Sequence, residues 1–208
     1  MIGRIDYASC YVYSPAGSGA ICERSRLLCA LLKEGDARFM FKYALRVRQQ
    51  AEERATLAGF FSAADVLVPV PSSTPKVCGT WPAADLARAL VNAGIGASAW
   101  PGLQRVCTVP KSATAAPGRR PSVSRHYESF RVEPPFHNLA SVLLIDDVIT
   151  RGRTLLAAAA RVREANPRAH VRAFALLRTI GLGPEIENLL APCRGEIRWR
   201  HGDAQRIP

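Results

Sequence analysis

This sequence predicts an α/β architecture, a parallel sheet covered by helices, and three observations carry that expectation. The first is Ser141-Val-Leu-Leu-Ile-Asp146, an apolar run followed by a short turn, an Ala/Leu/Arg segment from Thr154 to Asn166 and a second apolar run, Val171 to Leu177. A strand, helix and strand at that spacing form a crossover unit, and the crossover makes the two strands parallel. The second is that helical and strand-like segments alternate along the rest of the chain. The third is size. With 208 residues, 48% apolar and 22% charged, the chain can bury the core of one domain plus an appendage, and its composition is neither disordered nor fibrous.

Residues 22–34 and 39–58 space their apolar side chains as helices do, with Gly35-Asp36 between them. Asp65-Val-Leu-Val-Pro-Val70 reads as a strand buried on both faces, with Pro69 suited to a strand end or edge because proline cannot donate to a ladder. Residues 82–93 open with Pro82 and end before Gly94, as a helix should, and Leu103 to Val106 is a further short strand. Between Thr108 and Phe130 the prolines and the lack of period indicate a long loop, with a short helix near Ser124. The helix from Thr154 is stopped by Pro167. The expected organisation is an N-terminal helical region over 1–60, a core over 61–182 and a C-terminal extension over 183–208.

No apolar run approaches the roughly 18 residues of a membrane span, and Met1-Ile-Gly-Arg-Ile-Asp6 offers no apolar leader. A cytoplasmic protein with no membrane partner is expected. The six cysteines are dispersed without a C-x-x-C pair, so buried reduced thiols are expected rather than a zinc knuckle. The net charge of +11 favours polyanionic ligands such as phosphate esters, diphosphate or nucleic acid. Only four of the 28 basic residues are lysine; a planar fork for phosphate and a skewed codon usage explain that bias equally well.

The stretch that carries chemistry is Val142-Leu-Leu-Ile-Asp-Asp-Val-Ile-Thr-Arg-Gly-Arg-Thr154. Two carboxylates stand at a strand end, and a turn holding Thr150, Gly152 and Thr154 leads into a helix. A helix start offers free N–H groups and partial positive charge, so a phosphate fits there, with two hydroxyls to help and a glycine to admit it. Asp146 and Asp147 suit a neutral diol or a cation instead. A ribose 5-phosphate unit meets both demands. No G-x-x-x-x-G-K-[ST] loop is present to make the acids part of a nucleoside triphosphatase.

This segment resembles the 5-phosphoribosyl-1-pyrophosphate (PRPP) motif of the type I phosphoribosyltransferases. Val68-Pro-Val-Pro71 with Ser72 and Ser73, the following Gly79-Thr-Trp-Pro-Ala-Ala-Asp-Leu-Ala87, and Ser124-Arg-His-Tyr-Glu-Ser-Phe-Arg-Val132 are similar to stretches of its ComF/GntX-like branch. Together they cover residues 65–178. The resemblance implies a type I phosphoribosyltransferase-like parallel sheet flanked by helices with an N-terminal helical hood. It implies Mg²⁺ as cofactor, with Asp146 and Asp147 holding the ribose and serving as metal ligands, directly or through the substrate. It assigns PRPP or another ribose 5-phosphate ester to Asp146, Asp147, Thr150, Arg151, Gly152, Arg153 and Thr154, and the pyrophosphate to Pro71, Ser72, Ser73 and Lys76. Six cations stand against Glu128 alone between residues 105 and 131. Of these, Lys111, Arg119 and Arg120 are placed on a loop that closes over the departing pyrophosphate during catalysis. The reaction implied is transfer of the 5-phosphoribosyl group to a nitrogen acceptor.

The sequence also departs from the pattern. Arg151 replaces a small hydroxyl residue, Thr150 stands where purine-salvage enzymes have an acid, and the cysteine pairs of ComF-like proteins are missing. Two rivals therefore stay open. One is a non-catalytic PRPP or nucleotide sensor. The other is a competence-type accessory protein that binds single-stranded nucleic acid or a DNA-processing partner, with Trp81 and Trp100 available to stack bases. The acceptor is not encoded in any motif, and a homodimer remains open. His126, His137, His170 and His201 share no ligand or triad spacing.

Overall fold

The strand that begins at Ser141 runs past the expected end at Asp146 to Ile149 (β6), so that Asp146 and Asp147 lie within it, and its partner runs from His170 to Thr179 (β7), the two pairing in parallel on either side of the helix Arg153–Ala165 (α5). Both strands are buried on both faces along most of their length, as the apolar stretches Val142–Ile145 and Ala173–Leu177 require. The computed structural model describes residues 2–75, 80–110, 120–133, 139–181 and 185–208. Around this unit stand β1 (Arg4–Tyr13), β2 (Val66–Pro69), β3 (Ser98–Ala99), β8 (Leu190–Arg200) and β9 (Asp203–Ile207), in the order β3-β2-β6-β7-β1-β8-β9. The first five strands of that order are parallel, and β8 and β9 are antiparallel.

The helices α1 (Ala20–Glu34), α2 (Ala37–Glu53) and α3 (Pro82–Asn92) bury Leu28, Leu32, Met40, Ala44, Val47, Leu86 and Leu90 with Leu143, Ile145 and Phe174 on one face of the sheet. On the other face α5 packs Leu155, Leu156 and Val162 with Val142, Leu144 and Ala173. A small ribbon of β4 (Leu103–Arg105) and β5 (Phe130–Val132), with the short helix α4 (Val123–Glu128), completes that layer. Among the described residues no helix is long and apolar enough to cross a membrane.

Several expectations need correction. The second helix stops at Glu53 instead of residue 58, because Arg54 is extended and the following turns send Leu57 and Phe60 into the core. The first 60 residues are not helical throughout: β1 is a central strand between β7 and β8. Residues 183–208 are no appendage either, since β8 and β9 extend the same sheet. Pro69 does lie at a strand end. Leu67 O receives Trp100 N and Val70 N bonds Ile145 O, so the missing donor of Pro69 faces the side where β3 has already ended. At the amino ends of the strands, Asp65 and Arg172 form a buried ion pair at 2.5 Å, joined by the Ser141 hydroxyl.

Candidate functional site

From β2 the chain crosses to β3 on one side, and from β6 it crosses to β7 on the other. The carboxyl ends of β2 and β6 therefore diverge into a crevice, the place where open parallel sheets receive ligands. A cavity of about 310 Å³ lies there. Its walls come from the turn after β2 (Pro71, Ser72, Ser73), the end of β6 through the start of α5 (Asp146 to Leu155), Arg105, Arg120 and His126, Tyr13 at the end of β1 and Lys33 of α1.

Asp146 and Asp147 are half-buried, and each turns an Oδ1 back to accept the next backbone N–H, Asp147 N at 2.9 Å and Val148 N at 2.8 Å. Burial first, and the adjacent Asp147 carboxylate next, hold the Asp146 carboxyl well above the usual carboxylate range. Such a pair gains from a hydroxyl donor or a cation. Among the described residues no three His, Cys, Asp or Glu side chains gather as metal ligands.

Thr150 and Arg151 are exposed at the rim, and α5 starts without a side-chain cap. Gly152 is left-handed at φ 84°, as a turn needing glycine should be. Its missing Cβ, however, would stand 2.8 Å from Ile197 of β8, so packing demands this glycine apart from any ligand. Arg153 differs from expectation in a related way. Both prongs of its guanidinium lie on Asp203 of β9 at 2.5 Å, and a further nitrogen reaches the carbonyls of Arg120 and Pro121. Arg151 approaches the same Asp203 at 3.4 Å. The β8–β9 hairpin thus buttresses the turn and engages both arginines. Thr154 faces His126, its Oγ1 lying 3.5 Å from Nε2.

Across the crevice, Arg105 holds the turn after β2. It donates to Ser72 O at 2.5 Å, Ser129 Oγ at 2.5 Å and Pro71 O at 3.4 Å, and its guanidinium lies 4.3 Å above the Phe130 ring. Only 5% of it is exposed, and burial lowers its pKa to about 10. Arg120 lines the cavity, and its Nε is buried without a partner among the described residues. Lys76, Lys111 and Arg119 lie outside the described residues, as does His137. Comparison with protein-family models finds no match, and neither does comparison with curated proteins.

Arg105, His126, Tyr13 and Lys33 were not expected as parts of a site. Arg105 carries a partial signal in the sequence, a cation at the end of a short strand at the head of the cation-rich stretch 105–131. The other three carry none. Trp81 donates its indole N–H to Val70 O at 2.9 Å, and the Trp100 ring fills the space beside Gly102, so both take part in framework packing. Of the cysteines, Cys10, Cys22 and Cys29 are buried as expected, but Cys107 is exposed and Cys193 only half-buried.

Proposed function

We propose that this protein binds PRPP and transfers its 5-phosphoribosyl group to a nitrogen acceptor with release of pyrophosphate. One observation carries the reading. An acid pair near the carboxyl end of β6, an uncapped helix start with two threonines and an arginine-held turn face one cavity at the sheet's switch point. The first turn of α5, with the Thr150 and Thr154 hydroxyls, binds the 5-phosphate, and Asp146 and Asp147 accept the ribose hydroxyls. The Ser72–Ser73 turn and Arg120, whose Nε has no partner among the described residues, receive the pyrophosphate. Nitrogen bonds to C1 as the C1–O bond breaks, the electron pair leaves with pyrophosphate, and the nitrogen's proton passes to solvent. The side chains position the reactants and balance charge.

Mg²⁺ suits this donor set, because it binds through one or two carboxylates together with substrate phosphates. Asp146 and Asp147 would hold it, and when bound it supplies positive charge to the pyrophosphate.

Thermal shift and calorimetry with Mg²⁺-PRPP, ribose 5-phosphate and single-stranded DNA test the reading. A ligand at 100 times its Kd adds about 2.7 kcal/mol to stability. Mg²⁺-PRPP is expected to give the largest shift, and the Asp146→Asn/Asp147→Asn double variant to lose it. Equal binding by that variant overturns the ribose assignment. Arg120→Ala should weaken PRPP more than ribose 5-phosphate. If DNA affinity falls instead, with a smaller salt slope, the cations serve nucleic acid.

A further inference from the structure

His126 is a buried titratable side chain on the cavity wall, with 3% of its surface exposed. Its hydrogen bonding is incomplete. Nδ1 has no partner among the described residues, and Nε2 has only the 3.5 Å approach of Thr154 Oγ1. Buried polar atoms in folded proteins are normally paired, and an exception calls for a reason. Among the described residues the charged groups facing the ring are both cations, Arg105 of β4 and Arg153 of α5, while Phe130 of β5 lies 6.4 Å away in stacked orientation. Burial first and these guanidinium groups next bring the pKa to about 4, so the imidazole is neutral at neutral pH. A neutral ring has one N–H to give, and the polar group of α5 within reach is Thr154, on the helix's first turn.

We infer that His126 is a positioning residue for the anion seated at the start of α5: it donates its Nε2–H to Thr154 Oγ1, which frees the threonine hydroxyl proton to point at a bound phosphate oxygen. The inference rests on the proposed phosphate cradle. A threonine hydroxyl that spends its proton on the imidazole cannot also give it to the ligand; the Nε2–H tautomer removes that competition. An arriving phosphate polarises the hydroxyl and shortens the relay from ring to hydroxyl to phosphate, since hydrogen bonds to an ionised acceptor are shorter and stronger. It also offsets the field of the two arginines, so binding below pH 6.5 should draw a proton onto the ring.

The test is calorimetric titration of the full chain with ribose 5-phosphate, and with sulfate, whose charge is fixed between pH 5 and 8. His126→Phe should weaken ribose 5-phosphate at least tenfold. His126→Gln, whose amide nitrogen stands near the place of Nε2, should recover most of that loss. In a Thr154→Val background His126→Phe should have little further effect. The wild type should gain more sulfate affinity than His126→Gln between pH 8 and pH 5.5. A purely structural role would move neither the coupling with Thr154 nor the pH difference. Wild-type affinity in His126→Phe, or losses that add independently with Thr154→Val, overturn the inference while leaving the cradle standing. No binding of ribose 5-phosphate by the wild type overturns the cradle, and the inference with it. Should His126→Phe fail to fold, the Gln and Thr154→Val variants and their combination decide the matter.

Discussion

Ile197 occupies the space that a side chain on Gly152 would need, with its Cδ1 2.8 Å from where the Cβ would stand. The hairpin β8–β9 thereby shapes the turn between β6 and α5. Gly152→Ala should destabilise the ligand-free protein by about 2–4 kcal/mol, combining a left-handed alanine with the clash. Ile197→Ala should relieve the clash alone, giving a coupling of about 0.5 kcal/mol or more in a double-mutant cycle followed by urea unfolding. Strict additivity would show that Ile197 does not constrain the turn.

Asp203 holds Arg153 and Arg151 beside the helix start. Asp203→Asn should lower stability only modestly, about 0.5–1 kcal/mol, because the pair is partly open to solvent. The same change removes a negative charge and frees two guanidinium groups, so affinity for ribose 5-phosphate should rise several-fold. Opposite signs in the unfolding and binding measurements are the expected outcome; loss of both would make Asp203 part of the binding surface.

At Asp146 stability and binding should also part company. Its folded pKa lies above the unfolded value, because burial and Asp147 disfavour the charge. The folded state therefore holds the proton more tightly, and stability declines as pH rises from the ordinary carboxylate range through the raised pKa. Asp146→Asn should stabilise the ligand-free protein by about 0.5–2 kcal/mol at pH 7–8, and the gain should shrink on acidification. Binding of Mg²⁺-PRPP should be lost. Thermal melts across pH, with and without ligand, check both halves.

His126 has the opposite linkage. Its folded pKa, about 4, lies below the ordinary 6.5. Between these values the unfolded chain takes up a proton that the folded protein refuses, so stability falls as pH drops from 6.5 towards 4. The loss approaches about 1.4 kcal/mol per pH unit at most. His126→Gln should flatten that part of the profile in urea titrations; an unchanged slope would show that other groups cause it.

The core elements between residues 65 and 178 are legible in the sequence, because each rests on local signals: the apolar run of β6, the period of α5 with Pro167 beyond it, and Pro82 at the start of α3. The acid pair and the threonine turn were legible for the same reason, since one short segment holds them all. Tertiary structure decided the rest. β1 is central because its two neighbours, β7 and β8, come from the far end of the chain, and no local period marks residues 4–13 as their partner. The pairing of Arg153 with Asp203, the packing of Gly152 against Ile197 and the meeting of Arg105, His126 and Thr154 across the cavity all join residues between 21 and 50 positions apart in sequence. Charge and hydrogen-bond partners act through space at a few ångströms, so they follow from the sheet order and the curl of β8–β9, which no single segment encodes.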